Sequence, residues 1–356
     1  MQNSKIILTI GWDSNICLGV AYCLYKAGYK VYLLSHNPNN AGRYSRFIAK
    51  SFSYNHEHEL ADAVLDIVKK EKIDLVMPYD ENETRTIRQN QDAILQYTNC
   101  SWATSPDQFN IGINKSSLAG FLETNRIPCP PTASIGDQDK INRIIKDYGF
   151  PLLVKKMRSS AGRGIQKIFS TQELTDFFTE HNPNDYLIQP FLIGSDVTCN
   201  VICSQGEIIC HTLQESPVKS GEEFNANDTL IYHEDEEVLQ IVGSMMKALN
   251  WHGVACVDLR RAVNTGKPHI LEINGRFWGS VLPSFLKAGI NFPATLAKLS
   301  LGENIVTPKQ KSARQFSLKA YFNRIKKGKL TAFSETNYVP YFEDPIARFR
   351  QVFIKS

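Results

Sequence analysis

The sequence predicts an α/β and α+β chain: an open parallel sheet at the N-terminus, then a two-subdomain region built around hairpins. Three stretches carry this reading. The opening "KIILTIGWDSNICLGVAYCLYKAGYKVYLLS" runs apolar strand, small-residue loop, amphipathic helix ending at Gly28, apolar strand, which is a βαβ unit. The stretch "GFPLLVKKMRSSAGRGIQKI" puts a lysine pair and a small-residue loop between two further strands. In "HILEINGRFWGS", Glu272, Asn274 and Arg276 fall at alternate positions and therefore share one face of a strand.

The first domain is expected over residues 1–104. After the βαβ unit come a helical pattern near 57–71, the strand "IDLVMP", a further helix and a short strand near "SWATS". A dinucleotide-binding domain would need GxGxxG in its first turn and an acid at the end of its second strand. Here the turn reads "GWDSNICLG" and the strand ends "LLSHN" with Ser35 and His36, which argues against a nicotinamide enzyme. Ligands of open parallel sheets sit outside the carboxyl ends of the strands. That nominates Asp13 and Ser14 after the first strand, and Asp80, Glu81 and Glu83 of "YDENETR" after a later one. The carboxylates suit an amine, and equally suit the first turn of a helix.

From "SPDQFNIGINKSSLAGFLETNRIPCPPTASI" the pattern is helical until Pro128, Pro130 and Pro131 break it. The loop from Ser159 to Gly164 lets backbone N–H groups approach an anion, with Lys155 and Lys156 supplying charge; a plain glycine hairpin reads the same way. A helix near 171–180, a strand, and a hairpin turning at Ser204, Gln205 and Gly206 follow. Next come a helix around 234–249 and the strand "GVACVDLRR", whose hairpin partner through "AVNTGKP" is the Glu272 strand. Asp258 should then face Glu272, and two carboxylates that close repel unless a cation lies between them. Glu272 and the amide of Asn274 are hard oxygen donors suited to Mg²⁺, and a guanidinium beyond them suits phosphate or carboxylate. The competing reading of that triplet is the solvated face of an edge strand.

Composition is that of a globular chain of 356 residues, 42% hydrophobic, with formal charge +4. From Lys309 onward eleven Lys or Arg oppose three Asp or Glu, so this stretch carries +8 and the remainder −4. Its cations are interleaved with aromatics, as in "LKAYFNRIKKGKL", which favours a packed element with a solvated cationic face over nucleic-acid binding. The eight cysteines form no CxxC pair and lie in apolar runs, as reduced core residues do. The apolar run after Lys5 is too short for a signal peptide, and no uncharged span is long enough to cross a bilayer, so the cytoplasm and no membrane partner are expected.

Taken in order, these segments resemble the ATP-grasp superfamily, in the branch of the biotin carboxylase and carbamoyl-phosphate synthase domains, over about residues 6–305. The resemblance implies a pre-ATP-grasp Rossmann-like domain over 1–104, an ATP-grasp domain over 105–306 with its lid subdomain at about 132–190, and a basic extension over 307–356. It implies ATP contacts from Lys115 and Lys155, a phosphate-covering lid including Ser160, Gly162 and Gly164, adenine against Gln189, Phe191 and Leu192, and ribose on Asp196. By the same resemblance Asp258, Glu272 and Asn274 hold Mg²⁺, with Mn²⁺ as a substitute, and Arg276 and Lys155 are the catalytic cations. Asn114, Lys156 and Gln189 stand where the family commonly has Asp, Pro and Glu, and Asp196 where it typically has Glu.

The implied activity is that of an ATP-dependent carboxylate-amine ligase, forming an acyl phosphate and releasing ADP and phosphate. Its implied substrates are a small-molecule carboxylate and an amine, amino acids included, with Asp13, Asp80, Glu81 and Arg276 as the substrate-side residues. A homodimer is compatible with this. Three alternatives stay open: a bicarbonate-using carboxylase or carbamoyl-phosphate type of enzyme, a ligase with a thiol acceptor, and a non-catalytic ATP-binding protein.

Overall fold

A computed structural model describes residues 4–157, 164–216, 229–336 and 338–353. The N-terminal sheet is parallel, in the order β3-β2-β1-β4-β5. Its strands are β1 (Ile6–Ile10), β2 (Lys30–Leu34), β3 (Ile48–Phe52), β4 (Leu75–Pro78) and β5 (Asn99–Cys100). Between β1 and β2 runs α1 (Ser14–Lys26), and α2 (Leu60–Lys70), α3 (Glu81–Gln89) and α4 (Gln91–Leu95) follow β3 and β4. Two details differ from expectation. The strand expected at "SWATS" is two residues earlier, and Ala103 makes only an isolated bridge to Gly253. Strand β3 went unread because it pairs only with β2 and carries Lys50 and Ser51, so it lacks the apolar run of a buried strand.

Helices α5 (Pro106–Ile113) and α6 (Lys115–Thr124) lead to a small antiparallel sheet ordered β7-β6-β8. It contains β6 (Leu152–Lys156), β7 (Ile165–Ile168) and β8 (Tyr186–Pro190), packed against α7 (Gln138–Tyr148) and α8 (Thr171–Glu180). A larger antiparallel sheet has the order β13-β12-β9-β10-β11-β14. Its strands are β9 (Gly194–Ser204), β10 (Glu207–Ser216), β11 (Thr229–Tyr232), β12 (Gly253–Ala262), β13 (Pro268–Asn274) and β14 (Ala313–Phe316). The β9-β10 turn has positive φ at both Gln205 and Gly206 (48° and 89°), the backbone that tight hairpins of right-twisted strands require.

Alternation along β9 and β12 decides which face of this sheet is apolar. Val197, Cys199, Val201 and Cys203 pack with Val257 and Leu259 against Val238, Val242, Met245 and Met246 of α9 (Glu236–Ala248). The intervening residues, Thr198, Asn200 and Asp258 among them, are therefore left for the opposite face. Helices α10 (Val281–Leu286) and α11 (Phe292–Ser300) join this sheet to the parallel one, with Phe277, Trp278 and Phe292 in one core with α1.

The basic extension is built into the fold at both ends. Strand β14 extends the large sheet beside β11, and α12 (Leu318–Lys326) and α13 (Val339–Glu343) lead to α14 (Pro345–Phe353). Ala347 of α14 packs on Leu18 and Ala41 of the first domain, while Asp344 accepts a hydrogen bond from Ser45 at 2.5 Å. All eight cysteines are unpaired and seven are buried. Among the described residues no helix is long and apolar enough to cross a membrane.

Gly275 sits between Asn274 and Arg276, and a Cβ there would lie 2.6 Å from the Phe109 ring and 3.1 Å from Trp251. Gly275→Ala is expected to destabilise the protein by about 1–3 kcal/mol through overpacking, read as a lower urea midpoint.

Candidate active site

The hairpin of β12 and β13 sets Asp258 directly opposite Glu272, and Cys256 opposite Asn274, with a register irregularity just after Asp258. Asp258 accepts a hydrogen bond from Thr198 Oγ1 at 2.9 Å. The Asn274 amide Nδ2 reaches both carboxylates, at 3.4 Å from Asp258 and 3.5 Å from Glu272. Burial, reinforced by the Glu272 charge, pushes the Asp258 carboxyl up to about 7. The expected neighbouring cation is present, but on the other carboxylate: Lys115 Nζ lies 3.0 Å from Glu272. Lys115 opens α6, where Asn114 caps the helix by accepting from the N–H groups of Ser116 and Ser117, so the amide does the capping work of an Asp there.

Lys155, on β6, is 7% exposed. Burial pulls its ammonium down to about 8, the Glu272 carboxylate opposes that, and Lys115 and Arg260 add to it. Lys156 projects the other way and is exposed. Gly164 has φ 74°, the left-handed conformation that favours glycine; Ser160 and Gly162 lie outside the described residues.

Gln189, on β8, donates from Nε2 to Thr132 Oγ1 at 2.8 Å, while its Oε1 is buried without a hydrogen-bond partner. Near it, Arg260 ties three of the expected nucleotide residues together. Its guanidinium donates to Asp196 Oδ1 at 3.0 and 2.5 Å and to the Leu192 carbonyl at 3.2 Å, and stands 5.6 Å from the Phe191 ring centroid. Lys167 lies over the same ring at 4.1 Å. Sequence reasoning missed Arg260, which in "VDLRRA" looks like hairpin-end charge. The signal was non-local: Arg260 pairs in register with Asp196 of β9, a cross-strand opposite-charge pair.

Arg276 follows the end of β13, donates to the Phe277 carbonyl at 2.7 Å, and its charge is felt by both Asp258 and Asp80. Asp80, half-buried just beyond β4, accepts from the N–H groups of Trp12 and Asp13 at 2.7 and 2.8 Å and so holds the turn after β1. Of the other substrate-side candidates, Asp13 caps α1 by accepting from the N–H groups of Asn15 and Ile16, and Glu81 pairs with Arg85 one turn along α3 at 3.5 Å. Helix ends thus account for both. Glu83 is buried beneath Tyr54, whose hydroxyl donates to it at 3.4 Å.

Among the described residues no group of three His, Cys, Asp or Glu side chains is placed to hold a metal ion. The pair Asp258 and Glu272 with the Asn274 amide is nevertheless a donor set that fits Mg²⁺, which takes one or two carboxylates and completes its shell with water and phosphate.

Residues 113–280 match the family model described as an ATP-grasp domain. The carbamoyl phosphate synthase large chain of Methanocorpusculum labreanum is 24% identical over 79% of this chain, and this chain spans 28% of that protein's length. The biotin carboxylase domain of Hydrogenobacter thermophilus 2-oxoglutarate carboxylase, solved with MgADP and bicarbonate, superposes with TM-score 0.67 and 14% identity, covering 87% of this chain and 72% of that one. The L-amino acid ligase of Bacillus licheniformis gives TM-score 0.66 and 15% identity, covering 89% and 80%. Residues 113–280 are thus similar to an ATP-grasp domain, and the chain shares the fold of these solved structures.

The Lys155 ammonium faces Glu272, Lys115 and Arg260. Isotope-edited NMR of the reductively methylated protein is expected to show one lysine titrating near 8, with surface lysines above 10. Because the folded value lies below the ordinary 10.5, the cost of burying this charge is present below pH 8 and is relieved as pH rises toward 10.5.

Proposed function

We propose that this chain is an ATP-dependent carboxylate-amine ligase that activates its acid as an acyl phosphate and releases ADP and phosphate. The observation that carries the reading is the Asp258 and Glu272 pair in register, with Lys115 on Glu272 and the buried Lys155 beside it.

In this reading Asp258, Glu272 and Asn274 hold Mg²⁺, which supplies charge neutralisation at the nucleotide phosphates. Lys155 and Lys115 bind phosphate oxygens, and Lys115 leaves Glu272 when they do. The unpaired Gln189 Oε1 accepts from the exocyclic amine of adenine, an acceptor that the buried site otherwise leaves unused. Asp196, held by Arg260, offers its remaining oxygen to the ribose, and Phe191 and Leu192 line the base. Arg276 faces the transferred phosphoryl and the acid, offsetting charge that builds up in a loose phosphoryl-transfer transition state. Gly164 stands at the end of the lid that the resemblance implies, whose role in this reading is to keep water from the acyl phosphate. Carboxylates are poor electrophiles, and the acyl phosphate, a mixed anhydride, lets the amine attack the acyl carbon and expel phosphate. The substrate side is then Arg276 together with Asp80, which fixes the turn after β1. Asp13 and Glu81 act there only through the helices they support.

A second reading, activation of bicarbonate, is favoured by the names of the relatives, a carbamoyl phosphate synthase and a biotin carboxylase solved with bicarbonate. Incubation with ATP, Mg²⁺ and hydroxylamine across a panel of carboxylic acids separates the two. Hydroxamate formation with an organic acid is the expected outcome; ADP release that depends only on bicarbonate gives the second reading the site. Glu272→Ala and Arg276→Ala should each lower turnover in that assay by about 10²-fold or more, with the fold retained by circular dichroism.

A further inference from the structure

The face of the large sheet that carries Asp258 also carries a run of uncharged polar groups with no assigned use. Glu272, Asp258, Thr198, Gln214 and Tyr232 lie in register across β13, β12, β9, β10 and β11, and one pair step away lie Asn274, Cys256, Asn200 and Thr212. With neighbouring strands about 4.8 Å apart, Gln214 is about 10 Å from Asp258 and Tyr232 about 15 Å. Helix α10 and the residue before it cover this stretch. Gln214 Nε2 donates to Ser280 Oγ at 3.0 Å, Asn200 Nδ2 donates to Thr212 Oγ1 at 3.1 Å, and the Thr212 and Ser284 hydroxyls share a hydrogen bond at 3.3 Å.

Two amide oxygens in this cluster, Asn200 Oδ1 and Gln214 Oε1, have no hydrogen-bond partner, and the Tyr232 hydroxyl has Ser284 as its one polar neighbour. Their residues are 0%, 7% and 1% exposed. Buried polar groups are nearly always satisfied, so orphaned amide oxygens on one sheet face, beside a hydroxyl with a single polar neighbour and adjoining the candidate active site, mark a place for a ligand group or for ordered water. The chemistry of the cluster narrows the choice. Among the described residues it consists of Asn, Gln, Tyr, Thr and Ser and holds no formal charge, so a carboxylate or ammonium there would lie buried without a counter-charge from them. The orphans are amide oxygens, which call for N–H or O–H donors. Exchanging O and N of the Gln214 amide would turn its orphan into an N–H donor, and a group that both donates and accepts satisfies either arrangement.

We propose that Asn200, Gln214 and Tyr232 form the subsite for an uncharged hydrogen-bonding end of the acceptor, a carboxamide or a hydroxyl, and so select an amine substrate that carries one. This rests on the ligase reading for the identity of the ligand as acceptor, but not for its binding.

The test is thermal stability of the full chain with Mg²⁺ and ADP, titrated with glutamine, asparagine, serine, glutamate, aspartate and leucine. An amide- or hydroxyl-bearing amino acid should raise the Tm, while the matching acid and leucine should not. Gln214→Met and Tyr232→Phe should each weaken that ligand by about tenfold or more, with affinity for Mg²⁺ and ADP unchanged within about twofold; Tyr232→Phe removes a single atom and keeps the packing. Equal shifts from glutamine and leucine, unchanged affinity in both variants, or no shift from any amino acid would overturn the subsite, the last result leaving the cluster to ordered water. Binding of an amide ligand without ADP release on any acid would instead sink the ligase reading and leave the subsite standing.

Discussion

Two carboxylates held face to face across adjacent strands are the constraint on which the rest of the site depends. Backbone pairing of β12 with β13 fixes Asp258 opposite Glu272 whatever their charge. The surrounding side chains respond to that imposed repulsion. Lys115 comes in from the start of α6 to meet Glu272, Thr198 donates to Asp258 from β9, and the Asn274 amide turns its nitrogen toward both. Lys155 completes the balance from the small sheet, at the expense of a depressed ammonium of its own. The arrangement has close to the right charge for an added divalent cation and polyphosphate, since each supplies what the other and the protein lack.

The rest of the fold brings further parts to this pair. Alternation in β9 and β12 commits one sheet face to α9 and leaves the other polar, so a reaction floor comes with the apolar core rather than apart from it. The parallel sheet contributes through Asp80, which pins the turn after β1 and shares the field of Arg276. The C-terminal segment closes the structure on two sides, with β14 beside β11 and α14 on α1. Its basic helix α12 departs from the packed element that the interleaved aromatics suggest: it buries no residue, and Phe322 and Ile325 are exposed beside its cations.

Legibility followed the range of the interaction. The βαβ opening and the Asp258 and Glu272 pairing were readable because they depend on apolar runs and period two within a few tens of residues. Strand β3 was not, because an edge strand with Lys50 and Ser51 carries no apolar run, and β14 was not, because a four-residue strand whose partner β11 lies far upstream, with Ala313 opposite Tyr232, leaves no local pattern. Among site residues, Lys155 was readable as a strand-end cation beside a small-residue loop, whereas Lys115 was recognised only through resemblance. Arg260 escaped because its role depends on registering against Asp196, and Gln214 because an orphaned atom is a property of packing and not of any motif. Asp13 and Glu81 show the reverse: their positions at strand ends looked functional, and helix capping and an i,i+4 ion pair account for them.

The central claim is that the facing carboxylates exist to hold a cation against a nucleotide's phosphates. A crystal structure of the protein with Mg²⁺ and a non-hydrolysable ATP analogue tests it most directly. The account predicts a metal at about 2.1 Å from oxygens of Asp258, Glu272 and Asn274, with Lys115 moved from Glu272 onto phosphate. Nucleotide bound elsewhere, or a Lys115 and Glu272 ion pair still intact with no metal beside it, would contradict it.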